Sequence, residues 1–175
     1  MTQSVDPGDS LAWRVVKYRR LIAIAASVVA LDQATKAWIA ALLPYNTYGE
    51  AAGAVRVVRG FLYIVHVGNT GAAWSILSGR SILLASLAAA TLAAIFLGRR
   101  ALGLAAAHAQ ACFGLMCGGI AGNLIDRVAR GHVVDFLDFH FGTYIYPTFN
   151  VADSAICAGV ILYALYSLRP PRLGA

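Results

Sequence analysis

The sequence predicts an all-α membrane protein with four transmembrane helices and a small outward-facing β segment on the membrane surface. Composition comes first: of 175 residues, 59% are hydrophobic and 13% charged, with a mean hydropathy of +0.69. Soluble domains carry about 25% charged residues, so this chain cannot coat a water-facing surface, and it is too apolar to be disordered. Second, four apolar stretches approach the roughly 20 helical residues that a bilayer core requires. Third, the segments between them alternate in a β-branched and aromatic pattern.

The chain reads as one integral domain, residues 1–175, and its elements follow in order. The first span covers about 21–43 and contains Asp32, Gln33, Thr35 and Lys36. It is too long, and followed by too many further spans, for a cleaved signal peptide. The second covers 81–98, rich in Leu and Ala; the third, 102–122; the fourth, 152–168. Outward segments fill 44–80 and 123–150. Val55–Val65 reads as one or two short strands, Asn69-Thr70-Gly71 as a turn, and His132–Phe141 as a further strand. Trp38 and Trp74 suit the membrane–water boundary. Cys112, Cys117 and Cys157 lie in apolar runs and read as small hydrophobes, without a disulfide or zinc pattern.

The net charge is +6, but the basic residues flank span ends instead of clustering on a face, so they report topology and not nucleic-acid binding. With the termini inside, Arg14, Lys17, Arg19, Arg20, Arg99, Arg100, Arg169 and Arg172 face the cytoplasm. That is eight of the 14 basic residues, all close to span ends. Cytoplasmic termini follow.

Charges within spans are costly and draw attention to themselves. Asp32 and Lys36, four apart, form either a structural pair snorkelling to the outer interface or a direct chemical group. Gly114, Gly118 and Gly122 leave one face of the third helix bare for close packing. Asn123 and Asp126 follow on that helix. Arg127, adjacent in sequence, points elsewhere and leaves Asp126 unneutralised. Asn150 and Asp153 repeat the Asn-x-x-Asp spacing at the start of the fourth helix, where capping is the plain alternative. If the third helix exits and the fourth enters on one face, Asp126 and Asp153 lie at similar depth. Two carboxylates that close share a proton, and one can activate water while the other polarises a carbonyl. No serine-nucleophile elbow, metalloprotease motif or phosphate loop competes. Of His132, Asp135, Asp138 and His140, strand alternation puts Asp135 on the opposite face from the others; no metal-ligand spacing appears.

Five motifs in order, Asp32-Gln33-Ala34-Thr35-Lys36, Asn69-Thr70-Gly71-Ala72-Ala73, Gly122-Asn123-Leu124-Ile125-Asp126-Arg127, Gly131-His132-Val133-Val134-Asp135-Phe136 and Phe149-Asn150-Val151-Ala152-Asp153, resemble the lipoprotein signal peptidases (signal peptidase II). The resemblance implies a bacterial inner-membrane aspartic endopeptidase with its site near the outer face. Its substrate would be a prolipoprotein, cut just before an S-diacylglyceryl cysteine. The resemblance places the catalytic pair on Asp126 and Asp153. Asp32, Asn123, Arg127, Asn150 and Ala152 fall on supporting positions beside Lys36, and Asn69 and Gly71 on a substrate-facing loop. Trp74 stands where the family usually has phenylalanine. No metal or organic cofactor is implied. Membrane lipids are the surroundings, and one chain suffices for the site, so a monomer is expected. Two rivals remain: a small proton-coupled transporter using intramembrane carboxylates, and an assembly protein whose bare glycine face binds another helix.

Overall fold

The computed structural model describes residues 16–168; Arg14, Arg169 and Arg172 of the charge count lie outside them. Among the described residues, the chain forms α1 (Arg19–Leu42), β1 (Val55–Val58), β2 (Leu62–Asn69), α2 (Ser81–Leu97), α3 (Ala107–Arg130), β3 (Val133–Phe141), β4 (Tyr144–Ile145) and α4 (Val151–Ser167). The strands make one antiparallel sheet in the order β1-β2-β3-β4. Four long helices and a small sheet thus match the predicted elements. Of the helices, α1 is long and apolar enough to cross a membrane, while α2 and α4 are apolar but shorter, at 17 residues each.

The glycine seam of α3 packs against α1. A Cβ at Gly118 would lie 2.8 Å from the Ala25 carbonyl oxygen, and one at Gly122 would lie 2.5 Å from Asp32 Oδ2. Only hydrogen fits there, so the two backbones approach closely. This face is filled by the chain's own helix, which removes the seam as a docking surface for another protein. On the other side of α3, a Cβ at Gly159 of α4 would meet the Cys112 carbonyl oxygen at 2.7 Å. The helix α3 is therefore clamped between α1 and α4, and its contents set the site.

That helix departs from its expected bounds at both ends. Residues 98–106 form successive turns, with Gly103 at φ +63° and Leu104 buried beside Ala109 and Phe113, so regular helix starts at Ala107 and not at 102. At the far end α3 runs past 122 to Arg130, where Gly131 at φ +76° ends it with a left-handed cap. Such a turn favours glycine. The helix continues because Asn123 and Asp126 find partners inside the protein, so they need not leave it for water.

The strands extend beyond the prediction as well, since β2 continues to Asn69. It pairs with β3 so that Asn69 faces Val133 and Val67 faces Asp135, with an irregularity between Ile64 and Val67. This register brings the Asn69 turn to the carboxylate of Asp135.

Candidate active site

Lys36 occupies the middle of a fully buried ionic cluster. Its Nζ lies 2.8 Å from Asp32 Oδ2 and 2.8 Å from Asp126 Oδ2, and donates to Asn123 Oδ1 at 2.9 Å. Three acceptors match the three ammonium hydrogens. Asp126 is 0% exposed and also receives Arg130, Gln33 Nε2 at 3.2 Å and the Val134 N–H at 3.2 Å. Lys36 is shared by two buried carboxylates, and Arg130, itself 35% exposed, brings the second positive charge from the surface. The predicted snorkelling of Asp32–Lys36 is corrected: both side chains are 0% exposed, because the partners that neutralise them are inside.

Asp32 does a second job. Its Oδ1 accepts the N–H of Ala152 at 3.0 Å, across 120 residues of sequence. The positive end of α4 is thereby fixed by a carboxylate from α1.

The start of α4 is closed by a capping box: Asn150 Oδ1 accepts the Asp153 N–H at 3.0 Å, and Asp153 Oδ2 accepts the Asn150 N–H at 3.3 Å. Capping, the plain alternative, is real, yet it leaves the other ends of both side chains free. Asn150 Nδ2 donates to Asp135 Oδ1 at 2.7 Å, and Asn123 Nδ2 donates to Asp153 Oδ1 at 2.7 Å. Asn69 Nδ2 holds the second oxygen of Asp135 at 3.0 Å, while Asn69 Oδ1 accepts the Gly71 N–H at 2.8 Å. Arg127 reaches the same turn, donating from Nη2 to the Gly71 carbonyl at 2.8 Å.

Asp135 and Asp153 line one cavity of about 620 Å³, together with Asn69, Asn123, Arg127 and a largely apolar wall. Asp126 does not reach it. The sequence reading paired Asp126 with Asp153; the geometry instead sets Asp135 beside Asp153, with Asn150 touching both. Two steps of that reading are corrected. Asp126 is neutralised, by Lys36 and Arg130 in place of Arg127, so it is no free carboxylate. Strand alternation did turn Asp135 away from Asp138 and His140, but the face it turned to is the cavity. Asp138 and His140 pair with each other on the other side, at 2.7 Å.

Burial is the main force on Asp135, and the nearby Asp153 charge adds to it. Together they push the Asp135 carboxyl up to about 7, against the pull of Asn69, Asn150 and Lys36. The predicted residues Asp32, Lys36, Asn69, Gly71, Asn123, Arg127, Asn150, Ala152 and Asp153 all fall within this connected network. Asp135 was missed as a site residue, although the Gly131–Phe136 motif held the signal. Among the described residues, no three His, Cys, Asp or Glu side chains converge to hold a metal ion.

Both the sequence and the overall fold have known relatives. The family model described as signal peptidase (SPase) II matches residues 24–169. A lipoprotein signal peptidase of Geobacillus kaustophilus is 44% identical over 79% of this chain and 86% of its own length. One from Xanthomonas oryzae pv. oryzae is 37% identical over 96% and 95%. Two solved structures, both described as bacterial membrane enzymes, superpose with TM-scores of 0.75 and 0.74 at 36% and 35% identity. They cover 85% and 86% of this chain and 87% and 94% of their own. Nothing among these relatives supports the transporter.

Proposed function

The chain belongs to the signal peptidase II family, and on that premise we propose that it is the membrane aspartic endopeptidase that removes signal peptides from bacterial prolipoproteins. The cut falls just before the S-diacylglyceryl cysteine, and Asp135 and Asp153 carry the chemistry. The single observation behind the pair is that Asn150 bonds both of these residues on the wall of one cavity, while Asp126 is sealed beneath it.

Two neighbouring carboxylates share one proton. Asp135, whose acidity is weakened to about 7, holds that proton up to about neutral pH and transfers it to the scissile carbonyl oxygen as the water attacks. Asp153 takes a proton from water as its oxygen attacks the carbonyl carbon. The tetrahedral intermediate collapses when the C–N bond breaks. Its electron pair stays on nitrogen, which receives the proton held by Asp153, and Asp135 regains its own. Asn69, Asn123 and Asn150 hold the carboxylates in register throughout. The ionic cluster around Lys36 fixes the helices that carry them.

The surrounding protein suits a lipid-bearing substrate. The helix α2 has no charged residue, its Ser86 and Thr91 hydroxyls bond its own carbonyls, and it has no buried residue, which fits hydrocarbon as its solvent. At 1.5 Å per residue, the 17-residue helices α2 and α4 measure about 25 Å. In this reading all four helices span a thin bilayer, the termini are cytoplasmic, and the sheet lies on the outer surface. The site is complete within one chain, so the working unit is a monomer.

The test is cleavage by purified protein in detergent, using one prolipoprotein with and without its diacylglyceryl group. Mass spectrometry should find a product beginning at the lipidated cysteine, and no product from the unlipidated precursor. Cleavage elsewhere, or of both forms equally, would remove the assignment.

A further inference from the structure

Two cavities meet at Asp135. The larger, already described, draws its apolar wall from Phe139 and Phe141 of β3 and from Ile156 and Cys157 of α4. The second, of about 460 Å³, is lined by Tyr48, Gly68, Thr70, Ser78 and Thr148 among others, and takes no residue from any of the four helices. Trp74 and Tyr146 border both, their rings edge to face with centroids 6.3 Å apart, so they partition the space. Asp135 and Asn69 also belong to both walls.

The bond to be cut has two unlike sides. Before it lies an apolar signal segment, and the cysteine itself carries acyl chains. Beyond the cysteine lies polypeptide bound for water, whose backbone N–H and C=O groups need partners once they leave solvent. The apolar cavity, reaching α4, fits the first. The second cavity carries hydroxyls from Tyr48, Thr70, Ser78 and Thr148 and is built wholly from outer-segment residues. Its outer wall is fixed, because Thr70 Oγ1 accepts the Gly79 N–H at 3.1 Å and lies 3.3 Å from Ser78 Oγ. A volume of this size suits a short peptide segment.

We propose that this second cavity is the subsite for the first residues after the lipidated cysteine, and that it selects small side chains. The inference rests on the peptidase reading above. Bulk is limited by the Trp74–Tyr146 partition on one side and the strand β2 on the other.

Synthetic diacylglyceryl peptides test it. One ends as an amide at the cysteine, one continues with Gly and Ser residues, and a third carries Trp at the second position beyond the cysteine. Wild type should cleave the Gly/Ser peptide with kcat/KM about tenfold above the Trp peptide. Ser78→Trp, which fills the cavity, should lower kcat/KM about tenfold for the Gly/Ser peptide and leave the peptide ending at cysteine within about twofold. Tyr48→Ala should narrow the gap between the Trp and Gly/Ser peptides. If Ser78→Trp slows the short and long peptides alike, or wild type ignores the residues beyond cysteine, the subsite is overturned and the peptidase stands. If wild type cleaves none of the lipidated peptides, the peptidase reading itself falls and takes the subsite with it.

Discussion

Asn150 donates from Nδ2 to Asp135 Oδ1 at 2.7 Å, and the other end of the same carboxamide accepts the Asp153 N–H at 3.0 Å. One side chain thus caps α4 and ties the Asp135 carboxyl to the helix turn that carries Asp153. Stability and chemistry are joined at this residue, and substitution can separate them.

Asn150→Ala removes both bonds. It should cost about 1 kcal/mol of stability as a lost cap and lower kcat/KM about 10²-fold through misplacement of the pair. Asn150→Ser keeps an uncharged capping oxygen but is too short to reach Asp135. Thermal denaturation beside the cleavage assay should therefore find the cap's stability partly recovered and activity not recovered.

The pH profile follows from Asp135. Its carboxyl is protonated below about 7 and ionised above, and the reaction needs the proton. At a fixed concentration of lipidated substrate, kcat/KM should fall as pH rises through about 7. A flat profile from pH 6 to 9 would place the proton elsewhere.

The same acidity acts on folding. Asp135 is protonated in both folded and unfolded chains below the ordinary 3.8, so it contributes nothing there. Between 3.8 and about 7 only the unfolded chain ionises freely, and the folded state loses stability as pH rises. The loss is complete above about 7, and that gap corresponds to about 4 kcal/mol. Asp135→Asn should therefore raise Tm over wild type at pH 8, with the difference vanishing near pH 4. Thermal shift across that range in one detergent checks it.

Much of this molecule was legible in its residues. Hydropathy located four helices, and the four-residue spacing of Gly114, Gly118 and Gly122 marked the seam that α1 fills. Asn150 and Asp153 announced the cap that starts α4 and marked a candidate site. What escaped was depth. The spacing of Asn123 and Asp126 resembles that of Asn150 and Asp153, but sequence spacing does not reveal that Lys36 and Arg130 converge on Asp126. Nor does strand alternation tell which face of β3 meets the cavity, since that depends on pairing with β2 and on the Asn69 turn beside it.

Gly122 tests the coupling between packing and site. A Cβ there would sit 2.5 Å from Asp32 Oδ2, displacing the carboxylate that holds Lys36 and the Ala152 N–H. Gly122→Ala should cost about 1–3 kcal/mol and reduce cleavage in the folded fraction. Gly142→Ala, in the open β3–β4 turn with nothing within 4 Å of its Cβ, serves as a comparison and should leave cleavage unchanged despite some backbone strain.

The central claim is that the working pair is Asp135 with Asp153, and that Asp126 is structural. Its most direct test compares Asp126→Asn and Asp135→Asn for cleavage of the diacylglyceryl prolipoprotein, normalised to folded protein. Asp135→Asn should fold and lose about 10³-fold or more in kcat/KM. Asp126→Asn should unfold more readily but retain activity within about tenfold of wild type per folded molecule. An inactive, fully folded Asp126→Asn beside an active Asp135→Asn would contradict the account and return the chemistry to Asp126.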